Sequence, residues 1–220
     1  EGLVSEGIEI KTGIFVGKDI SWEELDQFDA IFISAGAHKS RKINVEGENE
    51  EGVIYALDYL KMVNSGIEVR TGKRVLVVGG GNSAIDVART AKRMGSEEVH
   101  IVCIESRDKM PAIKEEIHDA EKEGIVIINN FAITNIKREN NLLKVKLARA
   151  TFLRRKLDGG IEFKVDHNNT KYMEFDTIII AIGETPDMDF LPPELKVKMC
   201  KNPKALSVAT NKQKFFAGGD

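Results

Sequence analysis

The stretch Arg74-Val-Leu-Val-Val-Gly-Gly-Gly-Asn-Ser-Ala84 decides the fold. Arg74 to Val78 reads as a strand, and its uniformly apolar run marks burial on both faces. It leads straight into three glycines. From Ser83 to Met94 the pattern is helical, with Ala84, Ala88 and Ala91 on one small-residue face suited to close packing on a sheet. Gly95 stops the helix and Val99-His-Ile-Val102 is the next strand, which completes a βαβ unit. Gly79-Gly80-Gly81-Asn82-Ser83-Ala84 has the form G-x-G-x-x-A, a weak signal alone and a stronger one between a strand and a helix. Gly79 allows the tight turn, Gly81 leaves bare main chain for a pyrophosphate, and Ala84 lets helix and strand approach. The helix start offers unpaired N–H groups and partial positive charge to phosphates. The competing reading is a glycine turn in a doubly wound fold that holds no ligand.

The end of the next strand chooses the nucleotide. An acidic side chain there hydrogen-bonds a ribose 2′-OH, whereas arginine favours a 2′-phosphate. The chain reads Cys103-Ile-Glu105-Ser-Arg107, with Glu105 somewhat beyond the roughly 20 positions of the fingerprint. Glu105 argues for NADH, Arg107 could reverse that choice, and a solvated loop carboxylate is the plainer account of Glu105.

Working outward, two further runs share the β character: Asp29-Ala-Ile-Phe-Ile-Ser-Ala-Gly36 and Thr177-Ile-Ile-Ile-Ala-Ile-Gly183. Together the three runs predict a parallel sheet with crossover helices above and below it. A helix is expected over Ile113 to Glu123 with Gly124 as its C-cap, then a strand Ile125 to Ile128. From Ala132 to Val165 apolar and polar residues alternate, as in Leu143, Val145 and Leu147 against Lys144 and Lys146, which predicts an antiparallel hairpin or meander. Asp158-Gly-Gly160 and Asp166-His-Asn-Asn169 read as turns. Ser21 and Glu24 form a capping box for a short helix that starts at Trp22. The fold class is therefore α/β, with a Rossmann-like parallel sheet plus an antiparallel meander.

Composition bounds the function. The 220 residues are 42% hydrophobic and 30% charged, with 32 basic and 35 acidic residues and a net charge of −3, so nothing draws the chain to nucleic acid or to an anionic membrane. No apolar run approaches the roughly 18 residues of a bilayer span, and no secretory signal opens the sequence. A cytoplasmic protein is expected. The first residue is Glu1, not Met, which points to a processed chain or an internal piece. Two cysteines, Cys103 and Cys200, exclude a disulfide framework and a cysteine-ligated cluster or zinc site made by this chain alone. His38, His100, His118 and His167 show no metal-ligand spacing, and no Ser/His/Asp or Cys/His set suggests a protein nucleophile. Arg154-Arg-Lys156 reads as a solvated loop or a docking patch for a partner subunit.

Val75 to Asp86, Arg89-Thr-Ala91, Arg93-Met-Gly95 and Met110-Pro-Ala112, with His118 to Ile125, resemble the pyridine-nucleotide segment of the glutamate synthase small (beta) subunit family. Phe28 to Arg41, Val45-Glu-Gly-Glu48, Ala181-Ile-Gly183 and Phe215 to Asp220 resemble the crossings into and out of its flavin domain. Related modules occur in dihydropyrimidine dehydrogenase and in transhydrogenases. The resemblance implies an FAD domain interrupted by an NAD(P)H domain: residues 1–65 and 177–220 as incomplete flavin-domain pieces, and 66–176 as the nucleotide domain. It also implies that Asp220 hydrogen-bonds the flavin's ribityl chain and that Gly36 and Gly183 lie where crossings approach a nucleotide. The family's flavin glycine fingerprint and iron–sulfur cysteines would lie before Glu1. Where NADPH-using members carry an arginine pair, this chain has Ile104 and Glu105. The implied activity is hydride transfer from NAD(P)H to FAD, with electrons passing to a large catalytic subunit. Alternatives are an electron-transfer subunit of transhydrogenase type and a nucleotide-binding or docking domain without turnover.

Overall fold

The computed structural model describes residues 7–155, 160–197 and 210–219. They fall into two compact units, one within residues 38–185 and a smaller one of the described residues before 38 and after 185.

The larger unit opens with β1 (Val53–Tyr55), α1 (Ala56–Asn64), β2 (Arg74–Val78), α2 (Asn82–Arg93), β3 (Glu98–Cys103), α3 (Lys114–Lys122) and β4 (Val126–Asn129). Three long strands follow, β5 (Phe131–Glu139), β6 (Leu142–Arg155) and β7 (Ile161–Phe175), and then β8 (Thr177–Ile180). The parallel sheet has the order β1-β8-β2-β3-β4, so the last strand inserts between the first two. Antiparallel β5-β6-β7 forms a second sheet.

A period of two runs beneath the uniformly apolar strands. Val75, Val77, Val99, Ile101, Cys103 and Ile179 pack with Ala84, Ala88, Ala91 and Ile117 of the helices. Their neighbours Leu76, Val78, Val102 and Ile178 pack with Ile136, Leu143, Val145, Leu147 and Phe175 of the meander. Fully burying one such aliphatic side chain contributes roughly 1.5–3 kcal/mol. Both faces of the sheet are thus covered, but helices cover only one of them. The expectation of helices above and below is corrected here, because the alternating residues of β6 give the second face a sheet to pack against.

Three more expectations change. The run Asp29 to Gly36 does not enter the parallel sheet; its Ile31–Ile33 pairs with Phe215–Ala217 in the smaller unit, and Phe32 is 60% exposed. Asp166-His-Asn-Asn169 lies within β7, where Ala148 opposes Thr170 and Arg149 opposes Asp166, so His167 to Asn169 bulge out. Asn168 donates its N–H to Asp166 Oδ1 at 3.0 Å, which satisfies locally what reads as a turn in sequence. Boundaries expected at 65/66 and 176/177 stand at 37/38 and 185/186. Val53–Tyr55 and Thr177–Ile180 hydrogen-bond into the same sheet as β2, and no boundary can cross such a ladder. Asp158 and Gly159 lie outside the described residues.

Two junctions hold the strands in register. Asp176 Oδ2 accepts from the N–H groups of Lys73 (3.0 Å) and Arg74 (2.7 Å), locking the start of β2 to the start of β8. Glu123 bonds Arg89 and Arg93 at 2.8 Å, joining the end of α3 to α2, and the Arg89 guanidinium holds its carboxyl below the usual range. In the smaller unit Ser21 and Glu24 do form the capping box, and Trp22 donates to Phe190 O at 3.1 Å.

Gly47 has φ +83, and a Cβ there would lie 1.9 Å from the carbonyl oxygen of Ile136 on β5. Gly47→Ala is expected to destabilise the chain by about 2 kcal/mol or more. A urea midpoint unchanged from the parent's would refute this account of the crossover.

Candidate functional site

The C-terminal ends of β2, β3 and β8 open into a cleft of about 680 Å³, the place where open α/β sheets bind ligands. Gly79, Gly80, Gly81 and Ser83 line it, with Cys103, Ile104, Glu105, Pro111, Ala181, Ile182 and Gly183.

The three glycines stand in three different settings. Gly79 has φ +142, and a Cβ there would sit 2.1 Å from the carbonyl oxygen of Ala181. At Gly80 it would meet Glu105 Oε2 at 3.0 Å and Cys103 Cβ at 3.2 Å. At Gly81 the nearest atom is Pro111 Cγ at 3.9 Å, so that position faces open space. Gly81 is also the N-cap of α2, and no side chain caps the helix. Its first N–H groups and the positive end of its dipole are left for an anion. Ala84 is fully buried against the strand. Asn82 does not face the cleft with a free amide: its Oδ1 accepts from Ile113 N at 2.9 Å and holds the following loop.

Glu105 is 3% exposed and its carboxylate lies against Gly80, so it is not a solvated loop residue. Its main-chain carbonyl accepts from Asn130 N (3.1 Å) and Asn129 Nδ2 (3.2 Å), which fixes the turn that carries it. Arg107 is not brought to the cleft; its guanidinium donates to Glu121 of α3 at 2.8 Å. Gly183, φ +100, lines the cleft, and its carbonyl accepts from Arg41 N at 3.0 Å. Gly36, φ +72, belongs to the smaller unit. Asp220 and Cys200 lie outside the described residues. Cys103 is buried, and burial with the nearby Glu105 charge pushes its thiol up to about 12. No group of His, Cys, Asp or Glu among the described residues could hold a metal ion.

Arg41, Lys42, Ile43, Phe131, Ile133, Ile161 and Phe163 also line the cleft and carry no signal of their own in the sequence. The loop Arg41 to Glu48 is held by the buried Glu48 carboxylate, which accepts from Ile43 N (2.8 Å), Asn44 N (2.9 Å) and the Tyr55 hydroxyl (3.0 Å). Burial and that carboxylate push the Tyr55 phenol above its ordinary range. The alternation Ile161, Phe163, Val165 against Glu162, Lys164 and Asp166 was the one legible trace of an apolar face there.

An uncapped helix start, an open position at Gly81 and a deep cleft with apolar walls together suit a dinucleotide: diphosphate over bare main chain, ring systems to either side. Among the described residues the only strand–glycine–helix junction is that at Val78 to Ser83. The class is a dinucleotide-binding α/β unit. The pyridine nucleotide-disulphide oxidoreductase family model matches residues 4–220, and the chain belongs to that family, one of oxidoreductases that bind FAD and NAD(P)H. It is 33% identical over 248 residues to the NADPH-Fe(3+) oxidoreductase subunit beta of Geobacter sulfurreducens, covering 99% of this chain and 37% of that protein. It is 30% identical over 232 residues to the glutamate synthase [NADPH] small chain of Halomonas elongata, covering 97% and 49%. The chain thus spans less than half the length of each. The FprA structure from Mycobacterium tuberculosis in complex with NADPH superposes with a TM-score of 0.73 at 18% identity, over 94% of this chain and 61% of that one, which shows the shared fold.

Gly81→Leu should leave folding nearly unchanged, because φ −92 and open space accommodate the side chain, yet abolish dinucleotide binding. Calorimetric titration and a thermal melt check both halves, and unaltered affinity would place the diphosphate elsewhere. Native Cys103 should resist iodoacetamide at pH 8 and react once urea unfolds the chain. Peptide mapping that finds Cys103 alkylated within minutes in the native state would contradict its burial.

Proposed function

We propose that this chain is the nicotinamide-dinucleotide-binding part of an NAD(P)H-dependent flavoprotein oxidoreductase. The observation that carries this is the open Gly81 position at the uncapped start of α2, inside a cleft of dinucleotide size. Bound reduced nicotinamide supplies a hydride, for which the flavin of the family is the acceptor. The chain's own residues bind and orient: the Gly79–Ser83 main chain holds the diphosphate, and the ends of β3 and β8 hold the two ribosides apart. Ile43, Ile182 and Phe131 give the cleft apolar walls. No acid–base pair is needed, because positioning supplies the rate.

NADH is the favoured nucleotide. A buried carboxylate at Glu105 suits a ribose 2′-OH and repels a 2′-phosphate, and the neighbouring Arg107 is engaged with Glu121. The two relatives carry NADPH in their names; where the family resemblance implies an arginine pair in NADPH-using members, this chain has Ile104 and Glu105. Those names share nucleotide oxidation and differ in what is reduced, so this chain passes its electrons to a partner subunit rather than choosing the final acceptor itself. Among the described residues no helix is long and apolar enough to cross a membrane, and the proposed setting is the cytoplasm.

The test has two arms. NADH should bind the chain more tightly than NADPH; a tenfold preference for NADPH, about 1.4 kcal/mol, would refute the role given to Glu105. The full-length protein, purified yellow, should bleach when NADH is added without oxygen. Binding without bleaching would favour a docking or sensing domain instead.

A further inference from the structure

The meander is longer than its packing role requires. β5 pairs with β6 from Glu139 opposite Leu142 up to Phe131 opposite Arg149. Beyond Arg149 only β6 and β7 continue, with Ala150 opposing Val165, Phe152 opposing Phe163 and Arg155 opposing Ile161. A two-stranded ribbon is marginal by itself and leaves both faces without a sheet neighbour. This one still carries Phe163, 40% exposed, beside the cleft.

Which face of the ribbon meets the cleft follows from the alternation of the strand. Ile161 and Phe163 line it, and Glu162 and Lys164 do not. Glu162 instead accepts from Arg154 at 2.8 Å on its own hairpin. The cleft is therefore built of unlike walls. One is polar main chain, the glycine loop at the start of α2. Another is apolar and partly aromatic, and neither Ile161 nor Phe163 offers a charge or a side-chain hydrogen bond. A diphosphate gains nothing from that second wall. A flat heteroaromatic ring gains contact area and stacking.

We propose that Phe163, supported by Ile161, is the platform against which a base of the bound dinucleotide packs, so that the β6–β7 ribbon is a binding element of the nucleotide site. This rests on the cleft's being the dinucleotide site. The contact reads the ring and not the ribose phosphate, so it strengthens NADH and NADPH binding alike and contributes nothing to the choice between them. Glu105 discriminates; Phe163 adds affinity.

Dissociation constants for NADH and NADPH would be measured on the full chain and on three variants. Phe163→Ala should raise both constants roughly five- to tenfold and leave their ratio unchanged. Phe163→Tyr should stay close to the parent, because the ring is kept. Tyr172→Ala, on the same strand beneath Lys144 and outside the cleft lining, should have no effect. Constants for Phe163→Ala within twofold of the parent would overturn the proposal, as would a loss confined to one of the two nucleotides. If Phe163→Ala melts early, hydrogen exchange on the parent decides: amides of Ile161 to Val165 should slow when NADH is added, and unchanged exchange there refutes the contact. A parent that binds neither nucleotide would sink the dinucleotide reading itself, whereas a parent that binds and a variant that binds equally well sinks only the role of Phe163.

Discussion

The carbonyl oxygen of Ala181 occupies the space a side chain at position 79 would need. Everything at the cleft depends on that approach. Ala181 N donates to Val78 O at 2.8 Å, and Gly79 N donates to Val102 O at 2.9 Å. The last residue of β2 and the first of the loop are thus held by the strands on either side. The loop cannot drift, because its anchor is the sheet's own hydrogen-bond ladder. From that anchor the chain needs a positive φ at Gly79, turns, and starts α2 at Asn82. Where the helix begins, and so where its unsatisfied N–H groups point, is a consequence of two strands ending at one level.

Charge is arranged around this neutral centre. Arg41 and Lys42 line the cleft from the loop that Glu48 organises, and Glu105 lines it from the end of β3. A diphosphate over the glycines would thus share its cleft with charges of both signs. The carboxylate of Glu105 lies close to Gly80: a Cβ at 80 would ask Oε2 to shift by about a few tenths of an ångström. The middle glycine, which the sequence motif leaves unspecified, is thus in close contact with a neighbour 25 positions away.

Local chemistry was legible in the sequence, and pairing was not. The βαβ unit around Gly79, the capping box at Ser21 and the helix ending before Gly124 all depend on residues within a turn or two of each other, and their order is printed in the chain. The apolar runs announced burial, but a run such as Ile31 to Ile33 does not say which strand it will find, and it pairs with Phe215 to Ala217. Nor does an unbroken Val-Leu-Val-Val reveal that alternate residues face helices and a second sheet, because both faces accept the same aliphatic side chains. Asp166 to Asn169 carries turn residues whose need is met by a bulge inside a strand. At the site, Glu105 was legible through its place at the end of the strand that follows the glycines, although it lies beyond the usual spacing. Arg41 comes to the cleft through long-range topology, for which no local spacing exists, and the alternation around Phe163 shows an apolar face without saying what it will meet.

The insertion of β8 between β1 and β2 joins these observations. A strand that returns to the middle of the sheet must come from whatever follows β4, and here that is a meander lying on the face the helices leave open. The meander's register is fixed at its far end, where Asp176 follows β7 directly and ties to Lys73 and Arg74. Strands anchored there and running 14 and 15 residues toward the C-terminal edge reach farther than the five-residue β2 beside them. At about 3.3 Å per residue the excess is far more than the sheet needs for cover. The same topology that completes the sheet therefore carries an apolar ribbon to its binding edge, and the second wall of the cleft follows from the connectivity rather than from an added loop.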